Sequence, residues 1–247
     1  MDSTPNQPNL FHKFCTKKTT GEISFLQQNC NRNKESQYTL LEIGFARQAD
    51  FILIQEPAVW PQEGGGFYSV SHQAYSLLLP FSQLRPRVAI YYLTRSRLSI
   101  TPKELPDNDL LLLEISGNFE HFQLLNLYNE KKLKPDSSMD KKGILTTKRS
   151  DFQNFSPSSP LLLVGDFNLH HPWWNAQASQ RKKTSASHLT KWLEKFHFSL
   201  LNEQEVGTFY RANLQKLSII DLVFHKGFQE STLDSWAVLP GTGRFFF

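Results

Sequence analysis

The stretch Leu161-Leu-Leu-Val-Gly-Asp-Phe-Asn168 is an apolar run that ends in a glycine and then presents a carboxylate and an amide. Such a run before turn-forming residues is typical of a short buried strand, which we predict over Leu161–Val164. Because side chains alternate between the faces of an extended chain, Asp166 and Asn168 project to the same side. The stretch predicts a polar site at the carboxyl end of a strand. A turn in which both residues only cap backbone amides is the alternative.

Three other predicted strands end in polar groups of the same kind. They are followed or closed by Gln28-Asn29-Cys30-Asn31-Arg32, by Gln55-Glu56-Pro57 and by Asn126-Leu127-Tyr128-Asn129. Each alone has an ordinary explanation: an asparagine-rich turn, a solvated glutamate or a packed tyrosine. Together they supply oxygen ligands that suit a hard cation such as Mg²⁺.

The chemistry that these residue types favour is phosphodiester hydrolysis. That reaction needs an oriented water, a base that takes its proton, and donors for the developing charge. Asp166 is the candidate base and Asn168 a candidate donor.

The remaining patterns predict an α/β fold of two mixed, mainly antiparallel sheets packed face to face, with helices outside. Apolar periodicity predicts helices over Glu35–Gln48 and Ala186–Phe196, and the segments Pro57–Gly66 and 130–160 are predicted as connections, the second with room for one weak helix. The further predicted strands are Ile23–Gln27, Phe51–Gln55, Val88–Leu93, Leu110–Ile115, Phe122–Tyr128 and Leu217–Phe224. We expect residues 1–21 to be a flexible polar leader and residues 22–247 to form one domain.

Composition excludes several classes of protein. No apolar run has the length of a membrane span, and the polar N-terminal segment does not resemble a secretory signal, so we expect an intracellular protein. Cys15 and Cys30 are too few for a disulfide framework and are predicted to be free thiols. The net charge of +4 is compatible with a polyanionic partner.

The ordered motifs together resemble the endonuclease/exonuclease/phosphatase superfamily. The order is Gln-x-Asn-x-Asn-Arg, Gln55-Glu56-Pro57, Asn126-Leu-Tyr128-Asn129 and Gly165-Asp-Phe-Asn168. Within it, the chain is most similar to the apurinic-endonuclease-type domain of non-LTR retrotransposons, especially fungal ones. The segments that carry this narrower likeness are Leu169-His170-His171-Pro172-Trp173-Trp174-Asn175, Leu201-Asn202-Glu203, Thr208-Phe209 and Ser218-Ile-Ile-Asp221-Leu222.

The resemblance implies a DNase-I-like, four-layered α/β sandwich that nicks one DNA strand and leaves a 3′-hydroxyl. By motif match, Tyr128, Asp166, Asn168 and Asp221 are the expected catalytic residues. Glu56 and Asn31 are the expected ligands of Mg²⁺, with Mn²⁺ as an alternative. The expected substrate-binding residues are Asn29, Asn129, His170 and His171, although packing of the His170–Trp174 loop is favoured over direct DNA contact.

The end of the chain departs from the family pattern. Family members continue after Asp221 with a Ser-Asp-His element, whereas this chain reads Leu239-Pro-Gly-Thr-Gly-Arg-Phe-Phe-Phe247. We therefore expect a domain truncated at its C-terminal end and an impaired nuclease. An inactive nucleic-acid-binding remnant and a small-molecule phosphoesterase are the alternatives. The resemblance further implies a monomer that binds DNA and no membrane, a former fusion to a reverse transcriptase, and a nuclear location as one option.

Overall fold

The described part of the chain contains two six-stranded sheets, three two-stranded sheets and three α-helices. The computed structural model describes residues 12–18, 21–105, 107–117, 121–132, 144–157, 160–211, 216–229 and 232–238. In these ranges the helices are α1 (Lys34–Ala46), α2 (Ser150–Gln153) and α3 (Gln180–Lys195), with a 3-10 turn at Thr146–Lys148. The strands are β1 (His12–Lys18), β2 (Gly21–Asn29), β3 (Phe51–Gln55), β4 (Val59–Pro61), β5 (Phe67–Ser69), β6 (Tyr75–Leu78), β7 (Val88–Leu93), β8 (Ser99–Lys103), β9 (Leu110–Ser116), β10 (Phe122–Tyr128), β11 (Lys131–Lys132), β12 (Ile144–Leu145), β13 (Leu161–Asp166), β14 (Ser199–Leu200), β15 (Phe209–Arg211), β16 (Lys216–Ser218), β17 (Asp221–Lys226) and β18 (Leu233–Val238).

Both sheets are mixed and mainly antiparallel. The first has the order β18-β1-β2-β3-β7-β6, and the second has the order β14-β17-β13-β10-β9-β8. Each contains one parallel pair among the described strands, β2 with β3 and β10 with β13. Parallel neighbours end at the same rim, so these two pairs decide where the polar strand ends collect.

The sheets pack face to face, and a helix covers the outer face of each. Phe25, Leu53, Leu124 and Val164 belong to the apolar cluster between the sheets. Helix α1 covers the first sheet, and α3 covers the second. These four layers confirm the predicted α/β sandwich. They also explain why β3 and β10 are buried at every position, since both faces of each strand are covered.

Three predicted elements differ from the observed ones. The predicted leader contains β1, which pairs with β2 and β18; its sequence HKFCTKK has too few apolar residues to mark it, while residues 1–11 lie outside the described part. The predicted loop Pro57–Gly66 contains β4, which forms a hairpin with β5. Helix α3 begins at Gln180, six residues before the predicted start at Ala186. The prediction missed the first turns because they are polar and have no apolar periodicity.

The run predicted as one strand over Leu217–Phe224 is divided between two sheets. Its first part is in β16, which pairs with β15 in a separate hairpin, and its second part is in β17. The hydroxyl of Thr208 accepts the amides of Ile220 and Asp221, 3.0 and 3.1 Å away, which holds the chain where it passes from the hairpin to the sheet. Continuous apolarity cannot distinguish this crossing from a single strand.

Candidate active site

Polarity between the two sheets changes in layers towards one rim. The inward-facing positions are apolar first, for example Phe25 and Leu53. A layer of buried amides follows, made by Gln27, Gln55 and Asn126. The inward positions beyond it, at the rim, are Asn29, Tyr128, Asp166 and Asp221.

Register places the rim groups side by side. Tyr128 is paired with Asp166, and Asp166 is paired with Asp221, on adjacent strands of the second sheet. From the first sheet, Asn29 donates its Nδ2 to Oδ2 of Asp166 over 2.8 Å. The structure therefore brings together side chains from β2, β10, β13 and β17, which are distant in sequence.

The amide layer joins the two sheets below this rim. Gln55 Nε2 donates to Asn126 Oδ1 over 2.6 Å, and Asn126 Nδ2 donates to the carbonyls of Ile54 and Ala89 at 3.2 and 3.0 Å. Gln27 Nε2 donates to Gln55 Oε1 at 3.3 Å. All three amides belong to the motifs quoted from the sequence, but sequence reasoning assigned them no role, because it could not show that they face one another.

Burial and neighbouring charge control Tyr128. Burial raises the pKa of its phenol, and the charges of Glu56 and Asp166 raise it further, against a smaller opposing effect from Arg87. The guanidinium of Arg87 lies 4.7 Å from the centre of the Tyr128 ring. Tyr128 therefore keeps its proton at neutral pH and can act as a hydrogen-bond donor.

Asp166 is buried, and burial is the main reason why its pKa is raised to about 6. Hydrogen bonds from Asn29 and from the Asn168 backbone amide, 2.8 and 3.0 Å long, act in the opposite direction. The negative charge of Glu56 raises the pKa again. A carboxyl with a pKa near neutrality can both accept and release a proton, as a general base must.

Asn168 combines both interpretations that the sequence left open. The Asp166 carboxylate accepts the Asn168 backbone amide, as in a simple turn, and the Asn168 φ of +49° is left-handed, a conformation that asparagine tolerates better than most residues. Its side chain is exposed at the rim. The turn therefore contains both a capped backbone amide and an exposed side-chain amide.

Asp221 is the second buried carboxyl of the rim. Burial raises its pKa well above the usual value, and the neighbouring charge of Asp166 adds to this effect. Asn202 fixes the strand beside it, because its side chain bonds the Asp221 carbonyl at 3.0 Å and the Val223 amide at 2.7 Å. Thr208 and Asn202, noted in the sequence only through resemblance, thus hold Asp221 in place.

Glu56 lies at the edge of this group, immediately after β3. Its carboxylate pairs with Arg32, whose guanidinium nitrogen is 2.9 Å away. Its backbone has a left-handed φ of +47°, and its amide donates to the Arg87 carbonyl at 2.8 Å. Asn31, the other expected metal ligand, is exposed, and its backbone amide donates to Oδ1 of Asn29 at 2.8 Å.

Three expected substrate-binding residues lie away from the carboxyls of the rim. Asn129 is fully buried, and its Nδ2 donates to the Phe167 carbonyl at 2.6 Å while its Oδ1 accepts from Thr147. His170 and His171 are partly exposed on the loop after β13. His171 accepts the Trp173 amide at 3.2 Å.

The loop that carries the two histidines is packed on the second sheet. Leu169 and Trp174 are buried in the cluster beneath α3. Trp174 also donates its indole N–H to the Leu169 carbonyl at 3.2 Å. These contacts are the packing that the sequence favoured for this loop.

A chain of hydrogen bonds from α3 supports the site from behind. His188 Nε2 lies 2.7 Å from Thr147 Oγ1, which in turn bonds Asn129 Oδ1 at 3.1 Å. The Asn129 amide donates to the Asp166 carbonyl at 2.8 Å. Asn129 is thus placed to position the loop that carries Asp166 and Asn168.

The donor set fits a hard divalent cation. The charge of Glu56 raises the pKa of Asp166, and the charge of Asp166 raises the pKa of Asp221, as expected of like charges close together. No cluster of three or more histidine, cysteine or acidic ligands is found in the part of the chain that the structure describes. Mg²⁺ does not require one, since it commonly keeps several waters and binds one or two protein carboxylates.

A comparison with protein families finds a likeness over part of the chain. Residues 122–237 match the model of the endonuclease-reverse transcriptase family, and this range contains β10, β13 and β17 with Tyr128, Asp166 and Asp221. The match covers just under half of the chain, and over that range the chain is similar to this endonuclease family.

Several solved structures share the fold of this chain. The endonuclease domain of TRAS1, a telomere-specific non-LTR retrotransposon, has a TM-score of 0.59 and 20% identity, covering 82% of this chain and 84% of that one. The Xenopus laevis APE2 catalytic domain has a TM-score of 0.52 and 14% identity, covering 82% of each chain. The AP endonuclease LMAP from Leishmania major has a TM-score of 0.52 and 10% identity, covering 83% of this chain and 79% of that one. A search of curated proteins finds no significant match.

Within the described ranges, no helix has both the length and the apolarity that crossing a membrane requires.

Proposed function

We propose that this domain hydrolyses DNA phosphodiesters in a Mg²⁺-dependent reaction that nicks one strand. The observation that carries the proposal is the bond from Asn29 to Asp166, which joins the two sheets beside Tyr128 and Asp221. The match to the endonuclease-reverse transcriptase family and the fold shared with the retrotransposon endonuclease domain support DNA as substrate.

Each residue has a role that its environment supports. Tyr128, protonated because its pKa is raised, donates to a non-bridging phosphate oxygen. Asp166 in its ionised form takes a proton from the attacking water, which Asn168 helps to orient. The water oxygen bonds to phosphorus as the bond to the 3′-oxygen breaks, and this oxygen takes up a proton to become the 3′-hydroxyl.

Glu56 is the proposed principal ligand of Mg²⁺, with Asn31 beside it. The cation would supply positive charge that neutralises the developing charge on the phosphate oxygens. Mn²⁺ has similar ligand preferences and is expected to substitute. We assign Asn29 to substrate positioning through Asp166, and Asn129 to support of the loop after β13.

We expect a low rate for the 247-residue chain. The first histidine after Asp221 is His225, which is four residues further along β17 and pairs with Leu162 and Ser199. At about 3.3 Å per residue, its backbone is roughly 13 Å from that of Asp221. The segment 239–247 contains neither histidine nor aspartate. A phosphate-contacting histidine commonly contributes a factor of order 10²–10⁴ to rate.

The test is nicking of supercoiled plasmid by the full chain, with Mg²⁺ and with EDTA, beside Glu56→Gln and Asp166→Asn variants. Slow Mg²⁺-dependent nicking that both variants abolish supports the proposal. Nicking that persists in Asp166→Asn indicates a contaminating nuclease. Turnover of a phosphorylated small molecule without nicking would replace DNA by another substrate class.

The same sequence departure favours a second candidate, a domain that binds DNA without cutting it. DNA retention by the wild-type chain, with no nicking over long incubation, distinguishes this candidate. A monomeric state, a nuclear location and a former fusion to a reverse transcriptase stay predictions; size measurement in solution tests the first.

A further inference from the structure

Arg32 occupies a backbone position that ordinarily suits glycine. The chain turns tightly from Cys30 to Asn33, where the Asn33 amide donates to the Cys30 carbonyl at 2.9 Å. Both central residues are left-handed, with φ of +46° for Asn31 and +57° for Arg32. Asparagine tolerates this conformation, whereas a long side chain such as arginine is strained there. Strain of this kind is commonly held where the side chain has a function.

Two hydrogen bonds tie Arg32 to one partner. Its backbone amide donates to the Glu56 carbonyl at 2.7 Å, and its guanidinium donates to Glu56 Oε1 at 2.9 Å. Glu56 is itself left-handed. Two strained residues therefore bring a cation onto the carboxylate to which the proposed function assigns Mg²⁺.

The two side chains differ in access to solvent. The Glu56 side chain is 12% exposed, whereas that of Arg32 is 48% exposed. A divalent cation and a guanidinium repel each other, so binding both to the single Glu56 carboxylate is disfavoured. Cation binding would thus free an arginine that is already half in solvent, at the rim where a DNA phosphate must approach. Arginine binds phosphate well because its planar donors match two oxygens at once.

We propose that Arg32 exchanges partners, pairing with Glu56 in the cation-free protein and with a phosphate of the bound DNA strand once a divalent cation takes Glu56. This inference rests on the proposed function. Through this exchange, Arg32 would couple cation binding to DNA binding. An ion pair that stays in place would not couple them.

The first test measures Mn²⁺ binding to the full chain by electron paramagnetic resonance, without DNA. Arg32→Gln removes the competing cation, so we expect binding about two- to five-fold tighter than wild type, which is the range for an exposed ion pair. Arg32→Gly is expected to bind equally tightly and to melt at a higher temperature, because glycine relieves the strained turn. Arg97→Gln is the matched control, because Arg97 is exposed between β7 and β8 and the substitution removes the same charge. We expect it to leave Mn²⁺ binding unchanged.

The second test measures the salt dependence of DNA binding by fluorescence anisotropy on a duplex oligonucleotide. Ca²⁺ is used to occupy the site without supporting rapid cleavage. Under this condition, Arg32→Gln should reduce the magnitude of the slope of log K for DNA association against log salt concentration by about one. In EDTA the slope should be unchanged, because Arg32 is then held by Glu56.

The outcomes separate the two proposals. Unchanged or weaker Mn²⁺ binding in Arg32→Gln overturns the exchange alone, as does a slope that changes equally with Ca²⁺ and with EDTA. Failure of the wild-type chain to bind Mn²⁺ overturns both the cation site and the exchange.

Discussion

Burial determines the chemistry of the individual residues at the rim. Tyr128, Asp166 and Asp221 are all shielded from solvent, and the pKa of each is raised. The phenol remains a donor, and the carboxyls hold protons more strongly than they would in water. The same three residue types on an exposed loop would not have these properties.

Replacing Tyr128 with phenylalanine should slow the reaction while leaving DNA binding nearly unchanged. Loss of one donor to the developing charge is expected to lower the single-turnover nicking rate by about 10²–10³-fold. Tyr75→Phe is the matched control, since its buried hydroxyl donates to the Ala49 carbonyl at 2.9 Å, in the cluster beneath α1. Equal rates for Tyr128→Phe and wild type would remove Tyr128 from the mechanism.

Stability measured in EDTA should fall as pH rises through the range in which Asp166 ionises. Its pKa is about 6 in the folded protein and near 3.8 ordinarily, so the folded state binds the proton more tightly than the unfolded state. Ionisation therefore destabilises the fold progressively between about pH 4 and pH 6, by up to roughly 3 kcal/mol above that range. Asp221 changes stability in the same direction.

Urea unfolding from pH 4 to pH 8 measures this dependence. Asp166→Asn should flatten the curve relative to wild type, while Glu203→Gln, at an exposed acid, should not. The comparison uses the difference between curves, because His188 acts with the opposite sign. Burial lowers its pKa to about 4, so its contribution to stability is lost as pH falls below its ordinary value of 6.5. Parallel curves for wild type and Asp166→Asn would contradict the expectation.

At the scale of single elements, strand β13 depends on a close approach that only glycine allows. A Cβ added to Gly165 would lie 2.0 Å from the Leu127 carbonyl oxygen and 2.8 Å from its carbon. Both are backbone atoms of β10, the parallel neighbour, and cannot move without breaking the pair. The apolar run and its glycine therefore act together: one buries the strand, and the other lets β10 pass beside Asp166.

Gly165→Ala should destabilise the protein by roughly 2–4 kcal/mol, because strands β10 and β13 must separate. Chemical denaturation monitored by tryptophan fluorescence measures the loss. Gly65→Ala at the tip of the β4–β5 hairpin is the control: it has a φ of +105° but no atom within 4 Å of the added carbon. Its cost is expected to be about 1–2 kcal/mol from backbone strain alone. Equal losses in the two variants would mean that the contact with Leu127 is not the cause.

At the scale of the whole molecule, the amide layer sets how the sheets meet beneath the rim. Gln27, Gln55 and Asn126 are fully buried; Gln27 bonds Gln55 within the first sheet, and Gln55 bonds Asn126 across the interface. Apolar packing alone is tolerant of small shifts between sheets, whereas hydrogen bonds require particular atoms to face one another. The layer thus aligns Asn29 of one sheet with Asp166 of the other.

Asn126→Ala should cost about 2–4 kcal/mol, because it leaves buried partners in the first sheet without their hydrogen bonds. A double-mutant cycle with Gln55→Ala should give a coupling of roughly 1–2 kcal/mol. Gln123→Ala on the same strand is the control, since its side chain bonds Glu114 within the second sheet and should show no coupling to Gln55. A coupling near zero would show that the amides do not act across the sheets.

Much of this architecture was predictable from local sequence. Strands β3, β7 and β10 have the predicted bounds, because buried strands between covered faces are continuous apolar runs. Strand β1 and the division between β16 and β17 were not predictable. Strand β1 is held by backbone pairing with β2, and its sequence has little apolar signal. The division between β16 and β17 depends on Thr208, which lies about a dozen residues before Asp221.

The sequence by itself determined which residues end each strand in oxygen-bearing groups, because turns and side-chain alternation are local properties of the chain. Only the tertiary structure decided that Asn29 bonds Asp166, that Asp221 lies beside it, and that Arg32 pairs with Glu56. These pairs join segments far apart in sequence, through strand order, register and the facing of two sheets. Burial and mutual charge act only after that assembly, and so the raised pKa values belong to the fold and not to any one motif.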